Sequence, residues 1–232
     1  ATRLPGKPLL KINGLSIISH VFKKAMKANI GEVYVATEDQ EIMNDVHQNG
    51  GQAILTRNDH KTGTDRIYEA LNKIGKSDIE LIMNLQGDEP LMNVEDIKNL
   101  HNQMVRTRSE LGTLASKILD NNYYENQNVV KVITKENLEI AQFPEAIDFK
   151  RKSNNQINNT YHHLGIYCFQ INVLKKFISL DQSHNEIKNN LEQFRALDNN
   201  IKINVSLAKE SPIGIDTEED FVAIKKIMEY KS

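Results

Sequence analysis

The chain holds a single cysteine, Cys168, so no intrachain disulfide can form. Such usage fits a reducing, cytoplasmic setting, and its place in the apolar run "GIYCF" makes it a core residue by expectation. Excess charge of either sign is also missing. Lys plus Arg total 29 and Asp plus Glu total 31, a net charge of −2. Neither nucleic acid nor an anionic membrane is therefore expected as the main partner, and any anion site must be local. No apolar run approaches transmembrane length and no signal peptide is visible. Internal repeats, low-complexity tracts and a dividing linker are lacking as well. There is no P-loop and no Ser-His-Asp or Cys-His arrangement for covalent catalysis.

What is present is alternation. Helical periodicity is predicted at Ser16–Asn29 with Ser16 as N-cap, at "DQEIMNDVHQN" before Gly50-Gly51, and at "TGTDRIYEALNKIG" with Thr64 or Asp65 near its start. Strands are predicted at Glu32–Thr37, "QAILT" and Ile79–Leu85. This order implies an α/β fold with a mainly parallel, Rossmann-like sheet. From about 111 to 169 the segments "LGTLASKI", "VVKVIT", "LEIAQF" and "HHLGIYCF" read as strands without intervening helices, hence a small antiparallel extension. Lys150–Thr160 reads as a polar loop. Helices at Val173–Ser179 and Asn185–Asp198, a strand "IKINVSLA" and a last helix from about Thr217 complete the pattern. The 232 residues are expected to form one domain over 1–232.

Three stretches carry chemistry. "TRLPGKPL" is a stiff basic turn in which Gly6 lets backbone amides approach phosphate oxygens, with Arg3 as a planar fork and Lys7 as a point charge. A solvated basic turn is the equal alternative for that stretch alone. "LIMNLQGDEPL" ends a buried strand in Asp88, with Gly87 allowing a close approach or an unusual backbone angle. A turn in which Asp88 caps the next helix competes with that reading. "SPIGIDTEEDF" places Asp216 before a helix start, where Thr217, Glu218, Glu219 and Asp220 are explained by capping and the helix dipole. Mg²⁺ takes one or two carboxylates and completes its shell with water and phosphates, so Asp88 and Asp216 are a candidate pair.

Together, "TRLPGKPL", "TRNDHKTGTDRI", "NLQGDEPL", "HHLGIYCF", "LEQFRAL" and "GIDTEEDF" resemble, in order and over nearly the whole chain, the 3-deoxy-manno-octulosonate (Kdo) cytidylyltransferases. The resemblance implies a nucleotide-diphospho-sugar transferase fold. It also implies a Mg²⁺-dependent nucleotidyltransferase with CTP and Kdo as substrates, making CMP-Kdo and pyrophosphate for lipopolysaccharide biosynthesis. By resemblance, Arg3 and Lys7 grip the CTP phosphates, and Arg57, Gly63, Thr64 and Arg66 form the cytidine pocket. Asp88 and Asp216 hold the metal, and Lys7, Asp88 and Asp216 form the catalytic set. Gln86, His163, Tyr167, Glu192 and Gln193 line the sugar pocket, and the 111–169 extension supports a homodimer. Each residue taken alone has a plainer explanation: a core histidine at His163, a core-facing Tyr167, surface positions at Glu192 and Gln193, solvated arginines at Arg57 and Arg66.

Some features depart from the family. Its usual first strand, ending in Pro-Ala-Arg, is expected upstream of the loop in which this sequence begins. Pro144 and Glu145 stand where a Ser-Arg pair is usual, and His162 replaces an arginine. Rival readings are a cytidylyltransferase of the CMP-sialic acid synthetase type and an inactive nucleotide- or sugar-binding homologue. The pairing of "TGTDR" with "HLGIY" argues against the first, and the two intact carboxylates against the second.

Overall fold

The structure is a computed structural model describing residues 4–153, 157–212 and 214–230. After a 3-10 turn at Lys7–Leu9 come β1 (Lys11–Ile12), β2 (Leu15–Ser16), α1 (Ile17–Ala28), β3 (Val35–Thr37), α2 (Gln40–Gln48), β4 (Ala53–Leu55) and α3 (Gly63–Ile74). The chain continues through β5 (Leu81–Asn84), α4 (Val94–Thr107), β6 (Leu111–Ser116), α5 (Asn122–Glu125), β7 (Lys131–Thr134), β8 (Ala146–Lys150) and β9 (Thr160–Gln170). It closes with α6 (Ile171–Ser179), α7 (His184–Asn189), α8 (Gln193–Asp198), β10 (Ile203–Leu207) and α9 (Glu218–Tyr230). Two compact units result, the first from Ala1–Gly75, Leu85–Ile97 and Pro212–Ser232, the second from Lys76–Asn84 and Lys98–Ser211, so the backbone passes between them four times.

In the first unit, local chemistry accounts for each boundary. Gly6 adopts φ 67° and starts the 3-10 turn, with Pro8 held inside it. Asn13 and Gly14, at φ 49° and 77°, make the two-residue hairpin turn between β1 and β2. The Ser16 side chain caps α1 by accepting from the Ser19 N–H, as expected. Helix α3 opens one residue before the expected pair: Thr62 is the N-cap, and Thr62 and Asp65 form a reciprocal capping box. Strands β3 and β4 run parallel. One buried cluster joins Ile12, Ile17, Ile215 and Ile224, and another joins Ile18, Phe22, Val35 and Val46. Gly87 owes its lack of side chain to packing rather than to backbone angle, because a Cβ there would sit 3.0 Å from the Ile18 Cδ1.

The second unit carries a six-stranded sheet in the order β10-β6-β9-β7-β8, with β5 also paired to β9. Strands β5, β6 and β7 run antiparallel to β9, and β10 runs parallel to β6. Four strands thus share one direction, while β9 and β8 run against them. The α/β class holds, and the sheet is mixed: β10 and β6 pair in parallel, while the pairings of β9 and β8 are antiparallel. Strand β9 is long enough for β7 to pair with its first residues and β5 with its last. Register against β6 breaks between Thr113, opposite Tyr167, and Leu114, opposite Leu164, so Gly165 and Ile166 bulge out.

Two expectations fail in this unit. "LEIAQF" is not a strand. Asn137 turns the chain there: its side chain accepts from Glu139 N–H at 2.7 Å and its carbonyl from Ala141 N–H at 2.8 Å, leaving Ile140 85% exposed. The strand comes later, as β8. The helix expected over Asn185–Asp198 is two helices, because Asn190 takes a left-handed conformation (φ 51°) that ends α7. Cys168 is fully buried, and burial pushes its thiol up to about 12, as suits an inert core residue.

Candidate active site

In the first unit, three charged side chains converge. Lys7, buried at 8% exposure, directs its ammonium to Asp88 Oδ2 at 2.6 Å, to the Ile215 carbonyl at 2.5 Å and toward Asp216 Oδ1 at 3.6 Å. The backbone explains the meeting. Ile215 N–H donates to the Asp88 carbonyl at 3.0 Å, which lays the segment before α9 alongside the end of the Asp88 turn. Asp216 is left at the mouth of α9, where Asp220 accepts from the Asp216 and Thr217 N–H groups and Thr217 Oγ1 accepts from Asp220 N–H. Asp88 thus ends on Lys7 rather than capping a helix. Arg3 lies outside the described residues.

The residues present suit a divalent cation. No group of three or more His, Cys, Asp or Glu side chains able to hold a metal occurs among the described residues. A pair of carboxylates is enough for Mg²⁺ when phosphates and waters complete its shell. Asp88 and Asp216 already share one cationic neighbour, and their side chains keep 32% and 54% of their exposure.

The "TRNDHKTGTDR" stretch forms the loop between β4 and α3 and the first turn of α3. Gly63 and Thr64 occupy the first turn of α3, where backbone N–H groups have no intrahelical acceptor. Thr64 is fully buried and its Oγ1 has no hydrogen-bond partner. The Arg57 side chain is 68% exposed, with Nε on Glu69 at 3.2 Å. Arg66 is more committed: its Nη1 reaches Glu38 Oε2 at 2.5 Å, Thr56 Oγ1 at 2.8 Å and the Arg57 carbonyl at 3.1 Å.

In the second unit, three of the five expected sugar residues meet. The His163 and Tyr167 rings lie 5.6 Å apart, and the Tyr167 hydroxyl donates to Gln193 Oε1 at 3.1 Å. The bulge at Gly165 and Ile166 is what sets this spacing. Thr113 was not singled out, although a hydroxyl inside the apolar "LGTLAS" strand was its signal. Its Oγ1 donates to the Ile166 carbonyl at 2.6 Å, so the 2.9 Å contact with His163 requires His163 Nε2 to be the donor. Nδ1 is then the acceptor end of a neutral ring, and burial holds the His163 pKa down to about 3. Gln193 is buried, with Nε2 lacking a partner, whereas Glu192 flanks the start of α8 and is half-buried. Gln86 follows β5 and belongs to the first unit.

The departures from the family pattern also find their places. Glu145 pairs with Lys202 Nζ at 2.8 Å, which lowers its pKa, so its charge is matched. His162 contacts Ser211 Oγ at 2.9 Å, and burial first, then Lys131, lowers its pKa to about 4. It supplies no cation at neutral pH. Arg195, from the "LEQFRAL" motif, is bound to Glu186 at 2.6 Å with both side chains 3% exposed.

Comparison with known proteins gives the family. The family profile described as Cytidylyltransferase matches residues 1–203. The chain is 39% identical to a 3-deoxy-manno-octulosonate cytidylyltransferase of Thermodesulfovibrio yellowstonii, over 98% of this chain and 94% of that protein. It is 37% identical to the protein of the same name from Bartonella tribocorum, over 98% and 94% of the two chains. A solved structure of CMP:2-keto-3-deoxy-manno-octonic acid synthetase complexed with CTP superposes with TM-score 0.88 at 32% identity, covering 100% of this chain and 95% of that one. An apo UDP-glucose pyrophosphorylase shares the fold at TM-score 0.72 and 14% identity. By sequence and fold, the chain belongs to the cytidylyltransferase family, alongside the 3-deoxy-manno-octulosonate cytidylyltransferases.

Proposed function

We propose that this chain activates Kdo with CTP, giving CMP-Kdo and pyrophosphate for lipopolysaccharide biosynthesis in the cytoplasm. The convergence of Lys7, Asp88 and Asp216 carries the reading, supported by relatives that bear the Kdo cytidylyltransferase name. In the reaction, a hydroxyl of the sugar acid attacks the α-phosphorus of CTP. A new P–O bond forms as the bond to the pyrophosphate leaving group breaks. No protein nucleophile is needed, so positioning and charge stabilisation supply the rate.

Lys7 offers a buried ammonium to the phosphates, held by the Ile215 carbonyl. Asp88 and Asp216 would hold Mg²⁺, which would neutralise phosphate charge and acidify the attacking hydroxyl. The first-turn amides of α3, with Arg57 and the Thr64 hydroxyl, provide donors for the nucleotide, as Arg3 does in the assignment by resemblance. On the sugar side, the neutral His163 offers Nδ1 as an acceptor for a hydroxyl, and Gln193 offers an unpaired amide donor. Tyr167, Glu192 and Gln86 complete that assignment, which rests on the resemblance.

The working form is a homodimer built on the 111–169 extension. Leu119 (87% exposed), Ile140 (85%) and Ile147 (58%) lie there, and β8 ends the strand order. No helix among the described residues is long and apolar enough to cross a membrane.

Pyrophosphate release with CTP, Mg²⁺ and Kdo tests the activity. Controls omit the sugar, substitute sialic acid for Kdo, or substitute other nucleotides for CTP. Release requiring both CTP and Kdo supports the proposal. Release with sialic acid moves the assignment to that sugar. A folded protein that binds CTP without turnover is a binding homologue.

A further inference from the structure

Glu69, on α3, gathers more donors than any plain surface acid needs. Its carboxylate accepts from the Arg57 backbone N–H at 3.2 and 3.3 Å, from Arg57 Nε at 3.2 Å, from Lys73 Nζ at 2.7 Å and from the His60 ring. The side chain is 15% exposed, and its pKa is held down to about 2, first by Lys73 and then by His60 and Arg57. Arg57 is thereby clamped from both sides. Glu69 takes its N–H and Nε, while Arg66 donates to its carbonyl at 3.1 Å. The terminal guanidinium nitrogens of Arg57 carry no protein partner among the described residues, and the side chain is 68% exposed. Asp59, 3.6 Å from Nε and 65% exposed, is too weakly placed to set that geometry. Exposed arginines ordinarily sample many rotamers, and a fixed backbone and Nε remove most of that freedom before a ligand arrives.

We infer that Glu69 is a positioning residue of the nucleotide pocket, acting through Arg57 by presenting its free guanidinium edge to acceptor oxygens of the nucleotide. This rests on the assignment of Arg57 to the nucleotide. Glu69 touches no substrate itself.

Four variants of the full chain test it, with Glu69→Asp in reserve: Glu69→Gln, Arg57→Ala, the double variant, and Lys73→Met. The readouts are CTP binding by calorimetry without sugar, KM and kcat for both substrates, and melting temperature. Glu69→Gln is expected to weaken CTP binding and raise the CTP KM about tenfold, with kcat within about twofold and the sugar KM unmoved. Added to Arg57→Ala it should weaken CTP binding no further, because both changes remove the same interaction. Lys73→Met, which removes a contact but spares Arg57, should leave CTP affinity unchanged. Glu69→Asp, a shorter acid, should shift CTP affinity in the same direction if Glu69→Gln does not fold.

Unchanged CTP affinity in a folded Glu69→Gln protein overturns the inference, as does full additivity with Arg57→Ala. A Lys73→Met protein that behaves like Glu69→Gln points to helix stability instead and also overturns it. If Arg57→Ala binds CTP normally, the nucleotide assignment of Arg57 fails and the inference fails with it. Since the binding arm needs no turnover, an inactive wild-type chain overturns only the proposed reaction.

Discussion

Lys7 ends on two carboxylates and a carbonyl, and each of those contacts comes from residues far away in the chain. Lys7→Ala is expected to raise the CTP KM about tenfold, since a charge-assisted contact to phosphate is lost; a steady-state CTP titration checks it. Asp88→Asn keeps shape but removes charge, and should lower kcat on the order of a hundredfold or more. Unchanged melting with that loss places the effect in the chemistry. His163 makes a prediction about pH. Its native pKa of about 3 lies below the unfolded value of about 6.5, so the unfolded chain takes up the proton first. Stability is therefore intact above pH 6.5 and falls as pH drops from there toward 3. At pH 5 His163 alone should cost about 2 kcal/mol, and His162, with a native pKa of about 4, adds in the same direction. Urea unfolding at pH 7 and pH 5 measures the difference, and His163→Gln should remove roughly half of it, leaving the share of His162.

Among elements, the helix starts were legible where a cap residue precedes a periodic run. Ser16 before α1 and Thr217 before α9, paired with Asp220 in its first turn, are of this kind. Helix α3 starts at Gly63 with Thr64 and Asp65 in its first turn, and Thr62 before it is the cap, joined to Asp65 by the capping box. Apolar content alone does not separate strand from turn. Ile140 sits in an Asn137 turn at the surface, and Asn190 breaks α7 from α8 by a backbone state that periodicity does not report. Across that break, Glu186 and Arg195 form a buried, bidentate pair, with the guanidinium 4.6 Å from the Phe177 ring centroid. Arg195→Met should cost about 3–5 kcal/mol by leaving Glu186 buried and unpaired. Adding Glu186→Leu should recover most of it, measured by chemical denaturation. The same arginine in a functional motif thus has a structural duty.

At the scale of the molecule, the backbone's four passages between the units mean that neither unit is one continuous stretch of sequence. The proposed dimer predicts that light scattering gives twice the chain mass. Ile147→Lys, placing charge on the exposed face of β8, should shift the protein to monomer while its helix and strand content, read by circular dichroism, is unchanged. A wild-type monomer at micromolar concentration would remove the dimer.

Class and family were readable from the one-dimensional order of motifs, because alternation and spacing are local properties that neighbouring residues enforce. The candidate residues were readable as types: a lysine after Gly6, a carboxylate at a strand end, another before a helix cap. Which of them meet was not. Lys7 finds Asp88 and Asp216 only because the Ile215 backbone docks on the Asp88 carbonyl. His163 gains its tautomer only because a bulge brings Thr113 and Ile166 to it. Glu69 looked like one more acid on a helix until the loop before α3 folded back onto it. Such contacts depend on long-range packing and backbone hydrogen bonds, which only the folded chain brings within reach.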